Sequence, residues 1–159
     1  MLRLPYGVLE KNYPLKKAIP RDTLFRELGW DDLINNAAFE NTCAIRMSVA
    51  LIRSGVTIPA GRIPIKAGPH RGKRVEPGQA KLADILATNA LLGKPEKFST
   101  SEAENGIGSR SGIVSFYNLL PGVYDHGHID IVSSSSGGFK ICGMDCYWKS
   151  KQVWFWPLR

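Results

Sequence analysis

Apolar residues along the chain follow two different periods. From Asp22 to Leu92 they recur at helical spacing, and from Ile113 onward they alternate or cluster as in strands. Asp22 is placed to cap a short helix through Leu28, with Gly29 as its stop and Leu24, Phe25 and Leu28 on its buried face. Trp30 to Ala38 has room for another helical turn or two. Cys43 to Ser54 is the clearest helix, with Asn41 and Thr42 offering cap oxygens and Gly55 ending it. Its apolar positions Ile45, Met47, Val49, Ala50, Leu51 and Ile52 lie nearly all round the axis, and only Arg46 and Arg53 demand solvent. A helix this apolar is central and packed on more than one side. Gln79 to Leu92 reads as a second helix, stopped by Gly93 and Pro95.

The last third of the chain has strand character. Ile113 to Tyr117 is one strand, and His128 to Val132 is another, with His128, Asp130 and Val132 on one face. Phe139 to Ile141 starts a third, and Gln152 to Trp156 forms a fourth that ends at Pro157. Between the elements, residues 56–78 and 97–111 read as loops. Residues 1–20 read as an extended, partly mobile lead-in. Helices come first and an antiparallel sheet follows, which is an α+β layout.

The length of 159 residues suits one domain over 1–159. No apolar run approaches the ~20 residues of a membrane span, and Met1 to Tyr6 lacks the apolar stretch of a leader peptide. The expectation is a chain made in the cytoplasm, with no membrane span. The net charge of +7 favours an anionic partner such as nucleic acid, anionic lipid or a carboxylate-rich polymer. The densest basic stretch, Lys66 to Arg74, is interleaved with Gly68, Pro69 and Gly72 and holds no aromatic residue. It lacks the stacking platform of a single-strand binder, which weighs against a basic nucleic-acid-binding module.

Candidate chemistry centres on cysteine. The chain has three: Cys43 alone, and Cys142 near Cys146. An odd count with two close neighbours suggests one pair and one free thiol. A disulfide across Cys142 and Cys146 would close a tight turn; the rival is a zinc site that adds His126 and His128. Nucleophilic cysteine needs a thiolate, and a free thiol with pKa ~8.5 supplies little of it at neutral pH. A helix N-terminus and a neighbouring imidazole both raise that fraction. Cys43 has the first by position, and His128, on a strand that packs against the helix, supplies the second. His126 competes with His128 but falls at the strand edge, after Pro121-Gly122. A helix-start cysteine followed by a strand histidine and further strands is the order of papain-like folds.

The run Asn41-Thr42-Cys43-Ala44-Ile45-Arg46-Met47-Ser48 resembles the cysteine motif of the fourth family of type VI secretion amidase effectors. Gly112 to Phe116, Gly127 to Ile131, the Cys142–Cys146 turn around Asp145, and Val153 to Pro157 resemble further family segments in the same order. The resemblance implies an NlpC/P60-like, papain-type fold with N-terminal helices on a C-terminal antiparallel sheet. It implies a DL-endopeptidase that cuts the γ-D-glutamyl–meso-diaminopimelate bond of peptidoglycan stem peptides. By position, Cys43 would be nucleophile, His128 general base and Asp145 the residue that orients the imidazole. Asp145 stands three residues after Cys142, one later than the family pattern. Asp130 is the fallback, expected to reach only the outer edge of His128. The resemblance implies no cofactor and no metal. It implies type VI delivery into a target cell's periplasm and a cognate periplasmic immunity protein. A papain-like acyltransferase is the other enzymatic reading.

Overall fold

The computed structural model describes residues 1–118 and 127–159. Among these residues five helices and seven strands run in the order α1 (Tyr6–Asn12), α2 (Arg21–Glu27), α3 (Cys43–Arg53), β1 (Ile63–Pro64), β2 (Arg74–Val75), α4 (Gln79–Leu86), β3 (Glu96–Ser99), α5 (Thr100–Ile107), β4 (Ser111–Tyr117), β5 (His128–Ser134), β6 (Lys140–Cys142) and β7 (Gln152–Leu158). Two short 3-10 turns, Asp31–Leu33 and Ala37–Phe39, lie between α2 and α3. Among the described residues no helix is long and apolar enough to cross a membrane.

Helix α3 is the centre of the molecule. Every residue from Cys43 to Ile52 is buried, as its all-round apolar pattern requires. It packs on β5, α1, α4 and β2. Arg46 departs from expectation, being fully buried rather than solvated. Carbonyls of the segment before α2 take the place of water around it, as described below.

The N-terminal stretch is likewise not an extended lead-in. Leu4, Tyr6, Leu9 and Tyr13 are buried, and α1 lies on α3. The Tyr6 N–H donates to the Arg159 carbonyl at 2.6 Å and the Leu2 N–H to the Leu91 carbonyl at 2.7 Å, so the first residues of this stretch are tied down at two points.

The main sheet is antiparallel, with strand order β3-β7-β4-β5-β6. One face, through Ile113, Ile129, Ile131 and Trp156, joins the core around α3. The other face, through Val114, Phe116, Val132, Val153 and Phe155, packs on Ala103 and Ile107 of α5. Strand β3 and helix α5 occupy the polar stretch read as loop, because three buried or partly buried apolar side chains, Phe98, Ala103 and Ile107, suffice to anchor them. Strand β7 runs through Pro157, two residues beyond the reach of β3, which pairs only with 152–155. A proline there loses no ladder hydrogen bond on the β3 side.

Candidate active site

Cys43 is the first residue of α3. Its cap is Asn41, whose Oδ1 accepts the Cys43 backbone N–H at 3.1 Å. Thr42 caps nothing; its Oγ1 accepts from Arg46 Nε instead. Cys43 is the free thiol among the described residues and is buried.

Strand β5 crosses α3 and starts at His128, which is also buried. The preceding Gly127 has no room for a Cβ, which would meet Gln79 Oε1 and the Phe116 carbonyl. That close approach sets the start of β5 against the first turn of α4. The imidazole stacks on Phe116 (centroids 6.1 Å, planes 18° apart) and meets Tyr147 edge-on at 4.9 Å. His128 Nε2 is 2.8 Å from Asp130 Oδ2. The Cys43 side chain lies close enough to the same ring to act on its pKa, and with Nε2 engaged by Asp130, Nδ1 is the nitrogen left to face it. Burial pulls the His128 pKa down, but hydrogen bonds and charge from Asp130 and Cys43 outweigh it and raise it from 6.5 to about 9.

Asp130, not Asp145, is therefore the carboxylate on the imidazole. The two side chains share one face of β5, and the ring turns along the strand with Nε2 toward Asp130. Asp130 is fully buried and accepts backbone N–H groups from Ile131 (2.8 Å) and Gly143 (2.9 Å) on Oδ1, and from Met144 (2.8 Å) and Asp145 (3.2 Å) on Oδ2. The Asp145 side chain is exposed at the mouth of the cleft, so this residue serves Asp130 through its N–H. Cys142 and Cys146 are joined in a disulfide that closes this turn of donors, which takes both thiols out of the zinc alternative. Gly143 is required here, since a Cβ would lie 2.7 Å from both Asp130 Oδ1 and Tyr13 Cε1. His126 lies outside the described residues.

Tyr13 was not identified from sequence. Its hydroxyl is buried beside Asp130 without completing a well-aligned hydrogen bond, and burial followed by the Asp130 and Cys43 charges pushes its pKa well above 10. The 4, 6, 9, 13 spacing of large apolar residues was the signal that this segment is packed.

A cleft of about 980 Å³ opens on the site, lined among others by Lys16, Arg21, Asn41, His128, Asp145 and Tyr147. A buried thiol on a helix N-terminus, an imidazole between it and a buried carboxylate, and an open cleft can together perform acyl transfer.

Residues 39–156 match the family model described as type VI secretion system amidase effector protein 4. No curated protein matches the chain. Among solved structures, the type VI effector–immunity complex Tae4–Tai4 from Enterobacter cloacae contains a chain 20% identical, with 99% of this chain and 100% of that one covered and a TM-score of 0.76. The effector Tae4 from Salmonella typhimurium in complex with the immunity Tai4 from Enterobacter cloacae gives 17% identity, coverage of 99% and 100%, and a TM-score of 0.73. At such identities the likeness shows a shared fold, the papain-like α+β arrangement of helices on an antiparallel sheet.

Proposed function

We propose, since the chain belongs to the type VI secretion system amidase effector protein 4 family, that it hydrolyses the γ-D-glutamyl–meso-diaminopimelate bond of peptidoglycan stem peptides with Cys43 as nucleophile, His128 as acid–base and Asp130 as the orienting carboxylate. The observation that carries this reading is the continuous line Cys43–His128–Asp130, buried at the end of an open cleft. The Cys43 thiolate attacks the γ-glutamyl carbonyl carbon, and the negative charge moves to the carbonyl oxygen. The nearest backbone donor for that oxygen is the Cys43 N–H, which Asn41 Oδ1 occupies in the free enzyme. The arriving oxygen displaces Asn41 from it. His128 then protonates the departing amine, and a water deprotonated by His128 releases the acyl group. Asp130 keeps the ring in one tautomer and one orientation throughout.

The chain is made in the cytoplasm and delivered by the type VI machinery into a target cell's periplasm, where its +7 charge suits a carboxylate-rich wall. The solved relatives are effector–immunity complexes. By analogy, this chain has a cognate immunity protein that occludes the cleft. Mass spectrometry of sacculi digested with the purified protein tests the bond assignment. New γ-glutamyl carboxyl and diaminopimelate amino ends are expected; cleavage elsewhere would overturn it.

The raised His128 pKa has a signed consequence. The resting pair needs a protonated imidazole, so kcat/KM is expected to fall as pH rises through about 9. The same proton stabilises the fold fully below the unfolded value of 6.5, and that contribution is lost as pH passes about 9. A pH–rate profile with no alkaline limb between 8 and 10 (a window of about one unit on either side of that value) would contradict the assignment.

A further inference from the structure

Arg46 is fully buried, yet it meets no carboxylate among the described residues. Its Nε donates to Thr42 Oγ1 at 2.9 Å, and its Nη1 donates to the carbonyls of Pro14 (2.7 Å) and Ile19 (2.8 Å). Its Nη2 is buried with no hydrogen-bond partner among the described residues. Arg21, Arg53, Arg62 and Arg110 differ on both counts: each pairs with a carboxylate, and each keeps at least 22% of its side chain exposed. A guanidinium stays protonated under any condition a folded protein survives. Arg46 therefore brings a fixed, unneutralised positive charge into the interior, an arrangement that costs several kcal/mol unless other charges offset it.

Its place shows which charges those are. Arg46 lies three residues after Cys43 on the same helix, so the two share a face. Helical side chains lean toward the N-terminus, and the bond to Thr42 holds the guanidinium beside the first turn of α3. The Tyr13 hydroxyl is within electrostatic reach of Asp130, Cys43 and Arg46 alike. The groups facing Cys43 are Arg46 from its own helix, His128 and Asp130 from β5, and Tyr13 from the segment after α1. Arg46 and His128 lie on the inner wall of the cleft, whose lining also includes Lys16, Arg21, Glu40 and Asp145, and solvent there screens the charges of these last four.

The reactive form of the site carries a carboxylate at Asp130, an imidazolium at His128 and a thiolate at Cys43. These three sum to one excess negative charge, held out of water. With Arg46 the sum is zero. We infer that Arg46 is the buried counter-charge that lets the Cys43 thiolate and the Asp130 carboxylate exist together, a positioning residue acting through Cys43. The inference rests on the reading of Cys43 as nucleophile.

The test reads the thiolate directly, without substrate. The ultraviolet absorbance of the Cys43 thiolate is followed against pH in the full, oxidised chain, with the Cys43→Ala variant subtracted. In Arg46→Met the thiolate fraction at pH 6 is expected to fall about tenfold or more, since a one-unit rise in midpoint is a tenfold loss below it. Arg46→Lys keeps a positive charge while losing the fork of hydrogen bonds. It is expected to hold its thiolate fraction within about twofold of the unmodified chain, even where it melts lower. A folded Arg46→Met with an unchanged titration makes Arg46 a clamp for the 14–19 segment and overturns the proposal. Equal losses in both variants assign the effect to packing and also overturn it. If Arg46→Met does not fold, Arg46→Lys decides alone: a retained titration supports the counter-charge and a tenfold loss overturns it. A chain that cuts sacculi nowhere but shows the expected thiolate pattern leaves Arg46's role standing and refutes the substrate; absence of any thiolate signal refutes the nucleophile reading and this inference with it.

Discussion

Cys43→Ala is expected to abolish muropeptide release from sacculi while leaving the fold intact. Removing a nucleophile whose partners act only through it forfeits nearly the whole rate advantage of a triad, on the order of 10⁴–10⁶-fold. Only transition-state binding by the cleft is left. Stability should change little. The side chain is small, alanine favours the helix, and Ala44 and Ala50 show that small residues already pack in this layer. Two measurements separate the outcomes: release of soluble fragments over time, and the melting temperature of the variant. A stable variant that retains a tenth of the release removes Cys43 from the mechanism. A variant that is inactive and unfolded would not count as support, which is why the melting curve is part of the experiment.

The second large effect ranks two aspartates. Asp130→Asn is expected to lower turnover by roughly 10²–10⁴-fold, the range for losing the residue that orients a catalytic histidine. Asp145→Asn should cost no more than about threefold, because its backbone N–H, which the substitution keeps, is its contact with Asp130. Asp130→Asn also leaves a mark outside activity. Both Asp130 oxygens accept backbone N–H groups, so the amide nitrogen of asparagine faces a donor whichever way it is turned. A buried donor without an acceptor costs about 1–3 kcal/mol. A lower melting temperature and a collapsed rate are expected together for Asp130→Asn, and neither for Asp145→Asn. The opposite ranking would return the orienting role to Asp145.

The parts of this site that depend on local pattern were legible in the chain. A cap followed by an all-apolar run placed Cys43 at the head of a central helix. Alternation put His128 and Asp130 on one strand face. Asn41 was read as a cap, and the structure gives it the N–H of Cys43 itself. Elements that depend on distant partners were not legible. Which aspartate meets His128 depends on which ring nitrogen the thiol claims, and on a turn 13 to 15 residues downstream that supplies three N–H donors to Asp130. Arg46 looked like a solvent residue because periodicity cannot foresee carbonyls arriving from residues 14 and 19. Tyr13 was lost inside a segment whose prolines and lysines suggested mobility. Strand β3 and helix α5 were hidden by polar composition, since a short element needs few buried side chains to stay in place. Helix α4 was overextended, because Ala90 to Leu92 continue its apolar pattern after the backbone has already turned at Ala87.

The strand order β3-β7-β4-β5-β6 bears on when the enzyme comes into being. Synthesis makes Cys43 early and His128 85 positions later, and the strand inserted between β3 and β4 is the last of the seven described strands to emerge. Until β7 is present, β3 and β4 have no shared neighbour and the sheet that carries His128 is split. Pairing of this kind, between segments far apart in sequence, is slow to form. A nascent chain therefore carries this sheet in two parts, β3 apart from β4, β5 and β6, and the sheet becomes continuous only in a late step, when the final strand closes the gap.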